Sequence, residues 1–250
     1  MISAVIMARD EAENIERCIR SLLPVSDEVI VLDTGSKDET LQLAEQAGAK
    51  TFQVEWKGYA QTKNEGYQQA RFNYILSLDA DEVLSEELQE SILLARENLH
   101  GVYRMSRLTF YGKVPVKYCG WYPDPKVRLF PKDKARWVGE FVHEKLVYDP
   151  ELRLTHLTGD LLHYSIKDAE DHVARAREYA RLYARKMKAE GKRFSILKYW
   201  LSPVARYLSM YYGKLGILDG IVGSKVCRVS AQAIRWRYEY LRELEQAEDP

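Results

Sequence analysis

The sequence predicts an α/β fold, a mostly parallel sheet of Rossmann-like organisation followed by a helical C-terminal extension. Three features of its 250 residues carry that expectation. Apolar runs recur at Ile2–Ala8, Glu28–Asp33 and Tyr74–Asp79, largely continuous rather than alternating, as strands covered on both faces require. Segments of helical period separate them, so successive strands need crossover connections and lie parallel. Beyond residue 166 the period is helical throughout.

Taken in order, Ser3-Ala4-Val5-Ile6-Met7-Ala8 reads as the first strand. Residues 13–23 follow as a helix, with Ile15, Ile19, Leu22 and Leu23 at helical spacing until Pro24 stops it. Residues 28–33 form a second strand, the helix over 38–47 ends at Gly48, and 50–54 is a third strand. A loop over 56–61 precedes a helix over 62–71, which leads into Tyr74-Ile75-Leu76-Ser77-Leu78-Asp79. That run ends in three acids, Asp79, Asp81 and Glu82, and Ser85 with Glu86 and Glu87 then opens a helix reaching Leu99. Period-two alternation over 102–107 and the segment 113–117 suit a hairpin, and 125–131 reads as another strand. Asp168 opens a long helix through Glu190 that Gly191 ends, and further helical stretches cover 195–212 and 230–246.

At 46% hydrophobic and 30% charged, the composition is globular and the chain long enough to bury a sizeable core. Lys+Arg and Asp+Glu are 37 each, so net charge gives no argument for nucleic-acid binding, and no nucleic-acid module is recognised. Cys18, Cys119 and Cys227 form no C-x-x-C pair and suit a reducing compartment. The chain starts on a strand-like run without the regions of a secretion signal. Lys198, Arg206 and Lys214 interrupt its most apolar part short of the ~18 residues a spanning helix needs. A cytoplasmic protein is expected.

Parallel strands put polar residues on one rim of the sheet, where open α/β folds bind their ligands. Asp33-Thr34-Gly35-Ser36-Lys37-Asp38 lies on that rim. Gly35 lets the loop approach a ligand closely and Asp33 can accept from a base N–H or a ribose hydroxyl, while Ser36 or Asp38 can equally be an N-cap. Asp79 and Asp81, spaced i, i+2 across a turn, can converge on Mg²⁺ or Mn²⁺, which take their remaining oxygens from water and substrate phosphates. A solvated loop is the plainer alternative. Arg9-Asp10-Glu11-Ala12 stands where a dinucleotide-binding chain needs G-x-G-x-x-G, and no G-x-x-x-x-G-K-[ST] occurs. Dinucleotide oxidoreductases and P-loop NTPases are therefore excluded.

The Asp33 to Thr40 segment, Lys63-Asn64 and Leu78-Asp79-Ala80-Asp81-Glu82, in this order, resemble the family 2 glycosyltransferases of GT-A fold. Through Gly139-Glu140-Phe141-Val142-His143-Glu144, Leu161-Leu162-His163-Tyr164-Ser165 and Gly216-Ile217-Leu218-Asp219-Gly220, the chain is similar to the branch of lipopolysaccharide core β-glucosyltransferases. Asp10 is a departure, since that branch usually carries Asn before Glu11. The resemblance implies a catalytic domain over 1–166, with a nucleotide-binding half (1–100) and an acceptor half (101–166), and a helical extension over 167–250. It implies that Asp33 binds the nucleoside of a nucleoside diphosphate sugar, UDP-glucose, with donor contacts around Ala8 and Glu11. It further implies that Asp79 contacts the ribose side and that Asp81, with His163, holds Mg²⁺ or Mn²⁺ against the diphosphate. His163 is equally readable as a satisfied core residue, and Lys63 and Asn64 as ordinary helix residues rather than donor contacts. The reaction implied is inverting transfer of a hexose, glucose, to a lipid-linked saccharide of the lipopolysaccharide inner core. Another sugar, a protein acceptor, or a non-catalytic nucleotide-sugar or carbohydrate-binding module stays open on the residues alone.

Displacement at an anomeric carbon needs a base for the incoming hydroxyl. Glu144, beside His143 and partly desolvated by Phe141 and Val142, is the candidate, with Glu140 second, and a structural His143–Glu144 pair in a loop is the alternative on the residues alone. Trp121, Tyr122 and Trp137 suit sugar stacking or core packing, and Arg128 a phosphate contact or a salt bridge. Between residues 192 and 237 nine basic side chains meet only one acid, Asp219, and Phe194, Tyr199, Trp200, Tyr207, Met210, Tyr211 and Tyr212 are interleaved with them. That mixture is expected at an anionic membrane surface, peripheral on the inner face of the cytoplasmic membrane, with ordinary helical packing as the alternative.

Overall fold

The structure, a computed structural model, describes residues 1–139 and 144–247. Its elements in chain order are β1 (Ile2–Ala8), α1 (Ile15–Leu22), β2 (Glu28–Asp33), α2 (Thr40–Gln46), β3 (Lys50–Gln53), α3 (Tyr59–Gly66), β4 (Tyr74–Asp79), β5 (Glu82–Leu84) and α4 (Glu86–Arg96). There follow β6 (Val102–Tyr111), β7 (Val114–Pro115), β8 (Asp124–Pro131), β9 (Ala135–Val138), β10 (Lys145–Tyr148), β11 (Leu154–Ile166), α5 (Ala169–Ala189), α6 (Ile196–Leu208) and α7 (Gly220–Gln246). They group into two compact units, one of Met1–Arg107 with Asp124–His163, the other of Leu108–Pro123 with Tyr164–Pro250.

In the first unit β1 is central, parallel to β2 on one side and to β4 on the other, with β3 parallel beyond β2. The α/β fold expected from the sequence is present. Ile2, Ala4, Ile6 and Ala8 enter one apolar cluster with Ile19, Leu22 and Leu78, while Val5 enters another with Ile30, Ile75 and Phe130. The period-two division of β1 between both faces explains its continuous apolarity. Past β4 the pairing turns antiparallel: β8 lies against β4 and β6 against β8, and the order ends β6-β11-β5. β5 pairs antiparallel with β11.

Several elements start where local chemistry dictates. Ser85 caps α4 as expected, its hydroxyl accepting from Leu88 N at 3.2 Å and also from Asp160 N at 3.0 Å. The helix expected over 62–71 begins earlier, at Tyr59, after Gly58 in a left-handed conformation. Thr62 Oγ1 accepts from Lys57 N at 3.0 Å and closes that entry.

In the second unit, Asp168 caps α5 by accepting from the amides of Glu170 and Asp171. α7 begins at Gly220, ahead of the expected residue 230. Gly223 permits this, because a Cβ there would stand 1.9 Å from the carbonyl oxygen of Gly216. Asp219 accepts from the amides of Lys117 at 3.1 Å and Tyr118 at 2.8 Å, so the Gly216–Asp219 turn anchors the segment before Cys119. All three cysteines are free and buried, and the Cys119 and Cys227 sulfurs stand 3.6 Å apart. Part of the expected membrane-facing set packs inward: Met210 is buried, and Tyr207 and Tyr211 stack beside it. Among the described residues no helix is long and apolar enough to cross a membrane.

Candidate active site

The carboxyl ends of β1, β2 and β4 form the rim. Ala8 pairs with Asp33, and Met7 with Asp79, so the two acids flank the end of β1. Asp33 is buried, and its carboxylate accepts from Gly35 N at 3.1 Å, from Ser36 N and from the Ser36 hydroxyl. Gly35 has φ +99°, which a side-chain-bearing residue rarely adopts. The loop after β1 is laced to this one: Ser36 Oγ accepts from Asp10 N, Thr40 Oγ1 from Glu11 N, and Asp38 from Ala12 N. Asp10 has a left-handed backbone, which Asp and Asn tolerate alike, and its Oδ1 accepts from Lys37 N at 2.7 Å. The departure from Asn therefore keeps both the conformation and the acceptor.

Asp79, half-buried, heads a chain of charges that includes the buried Lys63, Arg128 and Glu82. Lys63 Nζ lies 3.1 Å from its Oδ1 and Arg128 Nη2 2.7 Å from its Oδ2. The same Arg128 nitrogen is 2.5 Å from Oε1 of Glu82, whose Oε2 accepts from Asp79 N at 3.0 Å. Arg107 reaches Glu82 at 3.4 Å and Asp124 at 2.7 Å. Burial opposes ionisation of Asp79, but Arg128 and Lys63 outweigh it and hold its carboxyl far below the usual carboxylate range. Burial likewise opposes the charges of Lys63 and Arg128, which their acid partners restore and raise. Lys63 is thus no solvated helix lysine, and Arg128 makes a salt bridge. Glu82, fully buried, was expected only as part of the acid cluster; nothing local in the sequence shows that it braces Arg128.

β5 sets the remaining rim residues. Its pairing with β11 puts His163 opposite Glu82, and His163 Nε2 stands 3.3 Å from Oδ2 of Asp81, both side chains mostly buried. Among the described residues no group of three or more His, Cys, Asp or Glu gathers round one point. A cation seated on a substrate diphosphate needs only one or two protein ligands, so a carboxylate beside an imidazole fits a metal that the substrate helps to hold.

The other expected site residues divide. The Asn64 amide brackets β9, donating to Trp137 O at 2.8 Å and accepting from Trp137 N at 2.9 Å. Trp137 itself is buried and donates from its indole to Tyr67 Oη at 2.8 Å, so core packing holds for it. Trp121, in the second unit, packs edge-on to His172. Glu144 is partly exposed and directly precedes β10. His143 and Glu140, with Phe141 and Val142, lie outside the described residues. Sequence reasoning missed a cavity of about 780 Å³ lined by Trp56, Tyr59, Gln61, Asn64 and Trp137. Trp56 and Tyr59 are exposed there and meet edge-to-face at 4.7 Å, an arrangement suited to stacking against a sugar or base. Two aromatics flanking Gly58 were the available signal.

The family model described as glycosyl transferase family 2 matches residues 3–134, just over half of the chain. An uncharacterised glycosyltransferase of Rickettsia typhi is 29% identical over 97% of this chain and 87% of its own length. A lipopolysaccharide core biosynthesis glycosyltransferase of Rhizobium meliloti is 27% identical over 95% of this chain and 93% of its own length. Among solved structures, glucosyl-3-phosphoglycerate synthase of Mycobacterium tuberculosis, in complex with Mn²⁺, UDP and phosphoglyceric acid, is 24% identical with a TM-score of 0.37. That likeness covers 44% of this chain and 43% of the synthase.

Proposed function

Because this chain belongs to glycosyl transferase family 2, we propose that it transfers glucose from UDP-glucose to a lipid-linked saccharide of the lipopolysaccharide inner core, inverting the anomeric carbon. The observation that carries this reading is the gathering of Asp33, Asp79 and the Asp81–His163 pair on one rim of an α/β sheet. The acceptor class is supported by the lipopolysaccharide core enzyme that this chain resembles along nearly its whole length.

Asp81 and His163 would hold Mg²⁺ or Mn²⁺, which supplies positive charge against the diphosphate as it leaves. Asp79, kept ionised and fixed by Lys63 and Arg128, offers acceptor oxygens to ribose hydroxyls without reorganising. Asp33, already ordered by its own loop, presents the nucleoside contact. Glu144 takes the proton of the acceptor hydroxyl as that oxygen bonds to the anomeric carbon, while the bond to the diphosphate oxygen breaks with its electron pair. The test is release of UDP from UDP-glucose on adding inner-core acceptor with Mn²⁺. Release that needs both supports the reading, and none from any nucleotide sugar and acceptor pair would leave a binding module.

A lipid-linked acceptor calls for a protein that meets a membrane, and α6 supports that too. Ile196, Trp200, Val204 and Leu208, spaced i, i+4, i+8, i+12, are exposed by 60, 55, 55 and 48%, with Leu197 and Leu201 exposed beside them. Their flanks carry the basic excess of the extension. Thirteen helical residues reach about 20 Å, less than the ~30 Å of a bilayer core, so the helix would lie in the plane of an anionic surface. This reading puts the protein on the inner face of the cytoplasmic membrane.

A further inference from the structure

The second unit contains a cavity of about 460 Å³ between faces of α5 and α7. His172, Arg175 and Tyr179 line it from α5, while Ser230, Ala233 and Arg237 line it from α7, so each helix contributes positions spaced within two turns on one side. Ala176 and Ala233 also line it, and their small side chains leave its volume open. Arg206 from α6 and Trp121 complete the wall. The volume lies in the range of small-molecule sites.

Its electrostatics are unusual for a structural void. Three guanidinium groups line it and no carboxylate does. Arg175 pairs with Asp171 at 2.8 Å, but neither Arg206 nor Arg237 has an ion-pair partner among the described residues. Nε of Arg237 and Nδ1 of His172 are buried without a hydrogen-bond partner, and His172 is only 7% exposed. A buried donor left unsatisfied costs stability. Burial, with Arg206 as a further cause, lowers the pKa of Arg237, as expected of cations held close without an acid between them. The Tyr183 ring, 4.2 Å from the Arg237 guanidinium, satisfies its face and leaves its edge donors for another acceptor.

We propose that this cavity binds the oxyanion of an acidic saccharide, a phosphate or carboxylate carried on a sugar ring. Guanidinium edges from Arg206 and Arg237 recognise the oxyanion, and the flat faces of Trp121 and Tyr179 take the ring. Only the identification of this ligand with the acidic part of the acceptor rests on the transferase reading; binding itself does not.

Calorimetry on the full chain with glucose 6-phosphate, glucuronate, glucose and inorganic phosphate tests it. The sugar phosphate and the uronate should bind at least about tenfold more tightly than glucose or phosphate alone, and excess UDP with Mn²⁺ should not displace them. Phosphate binding as well as the sugar phosphate would overturn the saccharide class, and displacement by UDP would return the anion to the nucleotide site. Arg206→Gln, at an exposed position, should weaken binding about tenfold with the melting temperature unchanged. Arg237→Met should abolish binding while the melting temperature holds or rises, since it removes a half-buried cation that has no acid partner among the described residues and whose Nε is buried unsatisfied. Binding retained by both variants, or a lower melting temperature in Arg237→Met with binding intact, overturns the proposal.

Discussion

His163 Nε2 stands 3.3 Å from Oδ2 of Asp81, although the two residues belong to distant parts of the chain. The contact exists because β5 returns antiparallel along β11 directly after the acid turn. A three-residue strand thereby converts an i, i+2 acid pair into a mixed carboxylate and imidazole pair.

Asp81→Asn keeps shape and loses charge. It should keep the fold and weaken Mn²⁺-dependent UDP binding by at least about tenfold, with His163→Ala weakening it less, because a hard cation draws more from a carboxylate than from an imidazole. Calorimetry with UDP in the presence and absence of Mn²⁺ checks this. Equal Mn²⁺ dependence in parent and Asp81→Asn would sink the metal role.

Arg128→Met leaves Asp79 and Glu82 facing each other without their shared cation, a loss that typically costs about 3–5 kcal/mol for buried pairs. The pH dependence has a definite sign. In the parent, Asp79 has a folded pKa below its unfolded value, so its contribution is complete above about pH 4 and fades as pH falls through the folded value. Without Arg128 the Asp79 carboxylate loses the charge that most favours its ionisation against burial, so the deficit should be larger at pH 7 than at pH 4.5 in urea unfolding. A deficit independent of pH would mean that Arg128 acts through packing alone.

Asn64→Ala separates a bracket from a donor contact. Losing both bonds to the Trp137 backbone should cost about 1–3 kcal/mol of stability and leave UDP affinity unchanged. Unchanged stability with weaker UDP binding would restore the donor role.

The rim acids were legible because Asp33 and Asp79 each end a long apolar strand, and such strands announce both their direction and their carboxyl ends. What stayed hidden depends on pairing between distant segments. β5 is too short for any period to show, yet it delivers His163. Arg128 could be seen on a strand, but its choice of Glu82 follows from the antiparallel docking of β8 on β4, which no local pattern encodes. Asn64 read as a polar helix residue because its partner is a backbone in β9. In the extension the basic and aromatic composition was plain, whereas the inward packing of Tyr207 and Tyr211 against a cluster with Met210, Val226 and Cys227 depends on segments distant in sequence.

Leu197→Gln with Leu201→Gln and Val204→Gln should lower partition onto vesicles containing anionic lipid by roughly two orders of magnitude, at about 1 kcal/mol for each exposed apolar side chain withdrawn from lipid. Flotation measures this, and near-UV circular dichroism should not change, since these side chains are exposed on α6. Undiminished flotation would remove α6 as the membrane face, and a parent dimer that the triple variant breaks, without vesicle binding in either, would assign the face to a second copy of the chain.

Glu144→Gln tests the proposed base with little change in volume. Glu144, directly before β10, is partly exposed, where a carboxylate can meet an acceptor hydroxyl from solvent, and β10 pairs with the β9 strand that Asn64 brackets. A positioned base contributes about 10²- to 10⁴-fold in rate and need not contribute to donor affinity. The variant should therefore bind UDP and Mn²⁺ as the parent does and turn over at least about a hundredfold more slowly. Glu140→Gln should be much milder. If Glu144→Gln keeps more than about a tenth of parental kcat with its fold intact, the proton leaves by another group and Glu140 becomes the next candidate. Weakened UDP binding in Glu144→Gln would instead mean that this carboxylate organises the donor site, since a group acting only on the acceptor hydroxyl has no contact to lose when the donor binds alone.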